Sequence, residues 1–146
     1  MEVGHSKQPV VAVFNSHAHG DHWLGVEGIK RHYPKAVIYG HPVMKTRVQG
    51  PDGDFWLDTN NRLTGNTAEG KHVVAPDKTV NGGDEIKIGD TTFRIHHTGA
   101  AHTDNDIMIE VTGENRCSWA TLLETACSAL WRKTPVSRET LLQSIS

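Results

Sequence analysis

No run of about 18 apolar residues occurs in the 146-residue chain, so no membrane-spanning helix is expected. Cysteine is scarce. Cys117 and Cys127 are the only two, too few and too close for a disulfide scaffold or a four-cysteine zinc site. An excess of basic residues is also lacking. Fifteen Lys and Arg against seventeen Asp and Glu leave a net charge of -2, which offers no electrostatic footprint for a nucleic-acid backbone. Met1 is followed by Glu2 and not by an apolar stretch. No secretory signal is therefore expected, and the cytoplasm is the default compartment. The length allows one domain with one modest core. No internal repeat is present, and nothing in the chain reads out an oligomeric state.

Histidine is what the chain has in surplus, with ten residues. This side chain binds metals and moves protons near neutral pH. Pro9 to Phe14 is a short apolar, β-branched run that predicts a buried strand. Trp23, Leu24, Val26 and Ile29, followed by Lys30 to His32, predict a helix stopped by Pro34. Ala36 to Tyr39 predicts a second buried strand. Strand, helix and strand over about thirty residues form a βαβ unit, and hence an α/β fold with a parallel pair. Residues 42–75, rich in Gly, Pro, Asn, Asp and Thr, are expected to form a long irregular excursion. Glu85 to Ile88 and Thr91 to His96 alternate around Gly89-Asp90. They predict a β-hairpin with a type I′ turn. Asp106 to Val111 predicts another strand.

The chemistry concentrates at two loops. His17-x-His19-x-Asp21-His22 places four ligand-type side chains in six residues, directly after the first strand. Residues i and i+2 of extended backbone point the same way, so His17 and His19 can close on one ion. Gly20 permits a tight bend, beyond which Asp21 and His22 can turn toward a second point. His102, in the loop after the hairpin, is the natural third histidine. Three imidazoles on one zinc leave an open position for water. The remaining candidates weigh less. His96, His97 and His41 read as structural, Trp23 as packing, and His5, His32 and His72 as exposed. Phe55 and Trp56 are either a substrate lid or the small core that tethers the long loop.

The stretch NSHAHGDHWLG, with TGAAHTD after the hairpin, closely resembles the metallo-β-lactamase fold superfamily over roughly Pro9 to Val111. The Asp-His pair is similar to its glyoxalase-like and lactonase-like branches. The resemblance implies an αββα sandwich, two mixed sheets with helices outside, of which this chain would be the central part. It implies a first metal on His17, His19 and His102 and a second on Asp21 and His22. Zinc is the expected metal, two ions in a parent enzyme or one here, with iron or manganese as substitutes. The implied chemistry is hydrolysis of a small-molecule substrate. A metal-bound hydroxide, oriented by Asp21, would attack an ester, thioester or lactam-type carbonyl. The alternatives are a catalytically inactive zinc-binding fragment or pseudoenzyme and, third, an iron-dependent persulfide-type oxygenase on the same fold.

The family pattern also includes two strands before the first, a later aspartate bridging the metals, and a further histidine. Here the last His is His102 and the last Asp is Asp106. The end of the chain changes character as well. All fourteen glycines lie at or before Gly113, whereas both cysteines and two of the four tryptophans, Trp119 and Trp131, follow Arg116. One reading is a helix with Trp119, Leu122, Leu123, Ala126 and Leu130 on one face. The other is a reading frame shifted near Arg116. The alternate frame permits Gly-Asp-Thr-Leu-Gly-Asn-Gly-Val-Phe, which restores a Gly-Asp after the Asp106–Val111 strand. The chain is accordingly divided into residues 1–116, the domain core, and 117–146, an atypical tail.

Overall fold

The computed structural model describes residues 9–67 and 70–112, together with the backbone of 118–120 and 129–132. The strands are β1 (Val10–Phe14), β2 (Val37–Gly40), β3 (Lys78–Thr79), β4 (Glu85–Ile88), β5 (Thr91–His96), β6 (Met108–Thr112), β7 (Ser118–Ala120) and β8 (Ala129–Arg132). The helices are α1 (Val26–His32), α2 (Pro42–Val48) and α3 (Pro51–Thr64), with a 3₁₀ turn at Gly20–His22. One sheet runs β3-β2-β1-β8 and the other β4-β5-β6-β7. The βαβ unit read from the sequence is present, because β1 and β2 pair in parallel, Ala12 opposite Val37 and Phe14 opposite Tyr39. The first sheet is mixed, since β8 joins β1 antiparallel. The second is antiparallel throughout, where two mixed sheets were expected. Among the described residues no helix is long and apolar enough to cross a membrane.

Period-2 alternation decides which face of each strand is buried. Ala12, Phe14 and Tyr39 of the first sheet meet Phe93, Ile95 and Ile109 of the second, with Ile107 beside them, to form the layer between the sheets. Phe14 stacks on Tyr39 and on Phe93, with ring centroids 5.0 and 5.2 Å apart. The opposite face of the first sheet carries Val13 and Ile38, joined by Val10 across the register shift between Val10 and Ala12. These pack with Val26 and Ile29 of α1. A third cluster, Ala18, Trp23, Met44 and Val48 with Trp56 and Leu57, fills the space beneath α2 and α3. This is a partial α/β sandwich of the kind the sequence implies.

Residues 42–75 are the main correction. They hold two helices, α2 and the 14-residue α3, where irregular chain was expected. Pro42 and Pro51 each stand in the first turn, where proline's missing N–H has no partner to lose. His41 caps α2 by accepting a hydrogen bond from Val43 N at 3.3 Å. Gly65 ends α3 in the left-handed conformation, φ 57°. Gly53 lies inside α3 because a Cβ there would sit 2.0 Å from the Val48 carbonyl oxygen of α2. Its glycine is a packing residue, not a turn signal.

Three smaller differences follow. The hairpin turn has φ above zero only at Gly89 (61°), whereas type I′ needs it at both central residues. Gly first and an ordinary residue second is the type II′ pattern. β6 starts at Met108, so Asp106 precedes the strand. In the tail, Ser118–Ala120 pairs with β6 and Ala129–Arg132 with β1, so no continuous helix runs from Trp119 to Leu130. The frame shift, the division after residue 116 and the exposure of His5 lie outside the described residues.

Candidate metal centre

The site forms where the apolar strands end. β1 delivers its chain into the loop carrying His17 and His19. The 3₁₀ turn carries Asp21 and His22, and the loop between β5 and β6 brings His102. His17, His19 and His102 each offer one ring nitrogen, and these atoms lie within 4.8 Å of one another. His19 Nδ1 and His102 Nε2 are 3.1 Å apart, close to the roughly 3.3 Å between two nitrogens on a tetrahedral zinc. The three rings stand nearly edge-on to one another, with centroids 4.8 to 5.0 Å apart. His17 is buried, His19 half-buried and His102 exposed. The cluster therefore opens to solvent on the His102 side.

A metal fits this cluster. His17 Nε2 is buried and has no hydrogen-bond partner among the described residues, a cost of roughly 1–3 kcal/mol that coordination would relieve. The other nitrogen, Nδ1, is hydrogen-bonded to Ser16 Oγ at 3.1 Å and lies 3.8 Å from the buried carboxylate of Asp106. Those contacts engage Nδ1 and leave Nε2 as the nitrogen open to coordination. Burial, reinforced by the neighbouring imidazoles of His22 and His19 and opposed by Asp106, lowers the pKa of His17 to about 4. The ring is thus neutral at neutral pH, the form in which imidazole binds a metal.

Asp21 and His22 lie side by side, His22 Nε2 3.6 Å from Asp21 Oδ2. The His22 ring packs 3.9 Å from that of His17, and its Nδ1 hydrogen-bonds Ser16 Oγ at 2.8 Å. Ser16 thus touches a histidine of each pair. Burial lowers the His22 pKa, against the pull of Asp21. Among the described residues only His17, His19 and His102 form a three-ligand group.

The remaining sequence candidates are placed as follows. Trp23 is packing: it is buried and its Nε1 donates to Ala18 O at 3.1 Å. Trp56 packs against the core, as one of the two readings has it. It belongs to the cluster beneath α3, and its ring lies 5.5 Å from that of His19. Phe55 is exposed beside it. His96 bonds Glu110 at 2.8 Å, and His97 Nδ1 donates to Asp106 O at 2.8 Å while stacking on His41. His32 and His72 are exposed. Gly20 is required for a reason other than a bend: a Cβ there would meet the Trp56 ring at 2.8 Å.

Reading the sequence missed Ser16, Arg47, Asn105 and Asp106. Asn105 and Asp106 are polar residues immediately before an apolar strand, and both are buried. Their position between a ligand loop and an apolar run was the available signal. Arg47 lies in the segment taken for irregular chain. Its guanidinium donates to Asp52 at 3.0 Å and to Asp104 at 2.6 Å. Arg47, Asp52, Asp104 and Asn105, with Phe55 and Trp56, line a cleft of about 420 Å³ beside His19.

A two-sheet α/β sandwich with a three-histidine cluster at the strand ends defines a metal-binding protein of the α/β class. The chain belongs to the metallo-beta-lactamase superfamily, whose family model matches residues 2–143. Solved structures agree. BJP-1, a subclass B3 metallo-beta-lactamase of Bradyrhizobium japonicum, is 25% identical with a TM-score of 0.51, over 73% of this chain and 37% of that one. BLEG-1, a B3 metallo-beta-lactamase, is 23% identical with a TM-score of 0.51, over 68% and 44%. A B3 metallo-beta-lactamase described by its active-site glutamic acid is 15% identical with a TM-score of 0.56, over 81% and 42%. The chain therefore spans 37–44% of the length of these relatives. No curated protein matches it.

Proposed function

We propose that the chain carries the metal-binding core of a zinc-dependent hydrolase acting on an ester, thioester or lactam-type carbonyl of a small molecule. The observation behind this reading is the convergence of His17, His19 and His102, with His17 Nε2 buried and unpartnered. Zinc bound there would supply Lewis acidity toward a carbonyl and a water whose pKa is lowered to about 7. The protein's own groups supply the rest. Ser16 and Asp106 fix the ring of His17. Asp21, exposed next to His22, would accept a proton and share a second metal with that histidine. The cleft beside His19 is within the size range of small-molecule sites. Its wall of Trp56 and Phe55 would hold the apolar part of a substrate, and the Arg47–Asp104 pair forms the polar wall.

Metal content and turnover should be measured on the same preparation. The chain is loaded in turn with zinc, iron and manganese, analysed for bound metal, and assayed on an aryl ester, a thioester and a β-lactam. Zinc bound at one or two equivalents with turnover of one substrate supports the proposal. Zinc bound without turnover supports the inactive zinc-binding alternative, and selective retention of iron supports the oxygenase alternative. His102→Ala should abolish first-site binding while leaving the unloaded fold at wild-type stability, because His102 is exposed. Wild-type zinc affinity in that variant would sink the assignment of the ligands.

A further inference from the structure

We propose that Asn105 is a positioning residue for the metal centre. Its side chain clamps the His17–His19 loop to the His102 loop, and Arg47 and Asp104 hold the clamp. The proposal rests on the metal-binding reading above.

Asn105 is 1% exposed. Its Oδ1 accepts a buried hydrogen bond, 2.9 Å long, from the backbone N–H of Ala18. Ala18 stands between the two ligands His17 and His19, and Asn105 stands three residues after the ligand His102. One side-chain bond therefore joins two ligand loops 87 residues apart in the chain. A second bond runs beside it, from Ile107 N to Ser16 O at 2.9 Å. That pair of bonds resembles a rung between strands, but one half of it is a side chain.

The amide of Asn105 can take only one orientation. Ala18 N–H requires the oxygen, and the Asp104 carboxylate requires the NH₂ group, which donates to Asp104 Oδ1 at 2.8 Å. The other oxygen of Asp104 accepts from Arg47 at 2.6 Å, and Arg47 also donates to Asp52 at the start of α3. The chain of contacts thus runs from α3 through α2 to the amide that spans the metal loops. Other hydrogen bonds hold the loop as well: Thr103 N donates to the Asp106 side chain, Oδ2, at 2.5 Å and Ala101 N to Thr103 O at 2.9 Å. These bonds shape the His102 loop internally. The Asn105 and Ile107 contacts fix it against the loop that carries the other two histidines, beside the His19–His102 and His17–Asp106 contacts.

Outer groups that orient metal ligands typically change affinity by 10–100-fold when removed. The test is Asn105→Ala against the wild-type chain, with three readouts. The first is hydrogen exchange of the Ala18 amide in the unloaded protein, which should quicken. The second is the zinc dissociation constant, which should rise by about 10–100-fold. The third is the absorption spectrum with cobalt(II) as the probe, which should shift as the ligand geometry loosens. Faster Ala18 exchange with unchanged zinc affinity and an unchanged cobalt spectrum would overturn the proposal, because the bond would then only stabilise the fold. A wild-type chain that binds no zinc would instead refute the metal reading and this inference with it. Should Asn105→Ala fail to fold, Asp104→Ala decides. Asp104 lies on the exposed rim, and its loss leaves the Ala18 bond but frees the amide from its second tether. A few-fold weaker zinc affinity is expected, and wild-type affinity would overturn the relay.

Discussion

Single side chains around the histidines carry more than one demand at once. His17 must be neutral, buried and held through Nδ1 so that Nε2 stays open to coordination, and Ser16, Asp106 and burial together meet those demands. Gly20 must leave room for Trp56, which in turn packs against the ring of His19. Gly20→Ala introduces a methyl group 2.8 Å from Trp56 Cε3 and 3.0 Å from Leu24 Cδ1. Overpacking of that kind costs roughly 1–3 kcal/mol. The variant should unfold at a lower denaturant midpoint, and Trp56 should be displaced from His19. Chemical denaturation followed by tryptophan fluorescence checks both. A wild-type midpoint would show that the helix above the site yields without cost.

At the scale of elements, the long connection after β3's neighbour β2 is held by charge as well as by apolar contact. Glu27 on α1 accepts from the backbone N–H groups of Lys71 and His72, at 2.7 and 3.1 Å, and bonds His72 Nδ1 at 2.9 Å. The bond with His72 is the largest influence, and the Glu27 carboxyl falls from 4.5 to about 2. A carboxyl with a lowered folded pKa contributes stability above its unfolded pKa and loses it as pH falls through the folded value. Glu27 should therefore stabilise the fold above about pH 4.5 and cease to do so as pH approaches 2. Solvent screening limits the effect to about 1 kcal/mol. Glu27→Gln should be less stable than wild type at pH 7, and the gap should close on acidification. Denaturation midpoints at a series of pH values provide the check. A gap that stays constant below pH 4.5 would contradict the assignment.

For the whole molecule, the metal site couples folding to binding. The three ligand histidines come from sequence positions 17 to 102 and converge only in the folded chain. A ligand that binds the folded state alone stabilises it by about 2.7 kcal/mol at one hundred times its dissociation constant. Zinc at that excess should raise the thermal midpoint, and a chelator should reverse the rise. Calorimetry with and without zinc measures this. An unchanged midpoint would mean that zinc does not distinguish folded from unfolded chain, against the proposed site.

The sequence by itself determined the local pieces and the ligand inventory. β1, α1, β2 and the β4–β5 hairpin were legible because each follows from the period of its own apolar residues and the Gly or Pro beside it. His17, His19 and His102, which the fold brings together, were legible from residue type, from the short spacing of the first two and from the second histidine-bearing loop. α2 and α3 were not. Their prolines and glycines are as common in loops as in helix first turns and helix–helix contacts, and the Val48 carbonyl that requires Gly53 is visible only once the helices dock. Asn105, Asp106 and Arg47 were equally hidden, because their partners Ala18, His17, Asp52 and Asp104 include residues up to 89 positions away (106 − 17). A contact across that distance has no period in the sequence. It exists only because the two sheets, packed through Phe14, Phe93 and Ile107, bring the two loops to the same end of the sandwich.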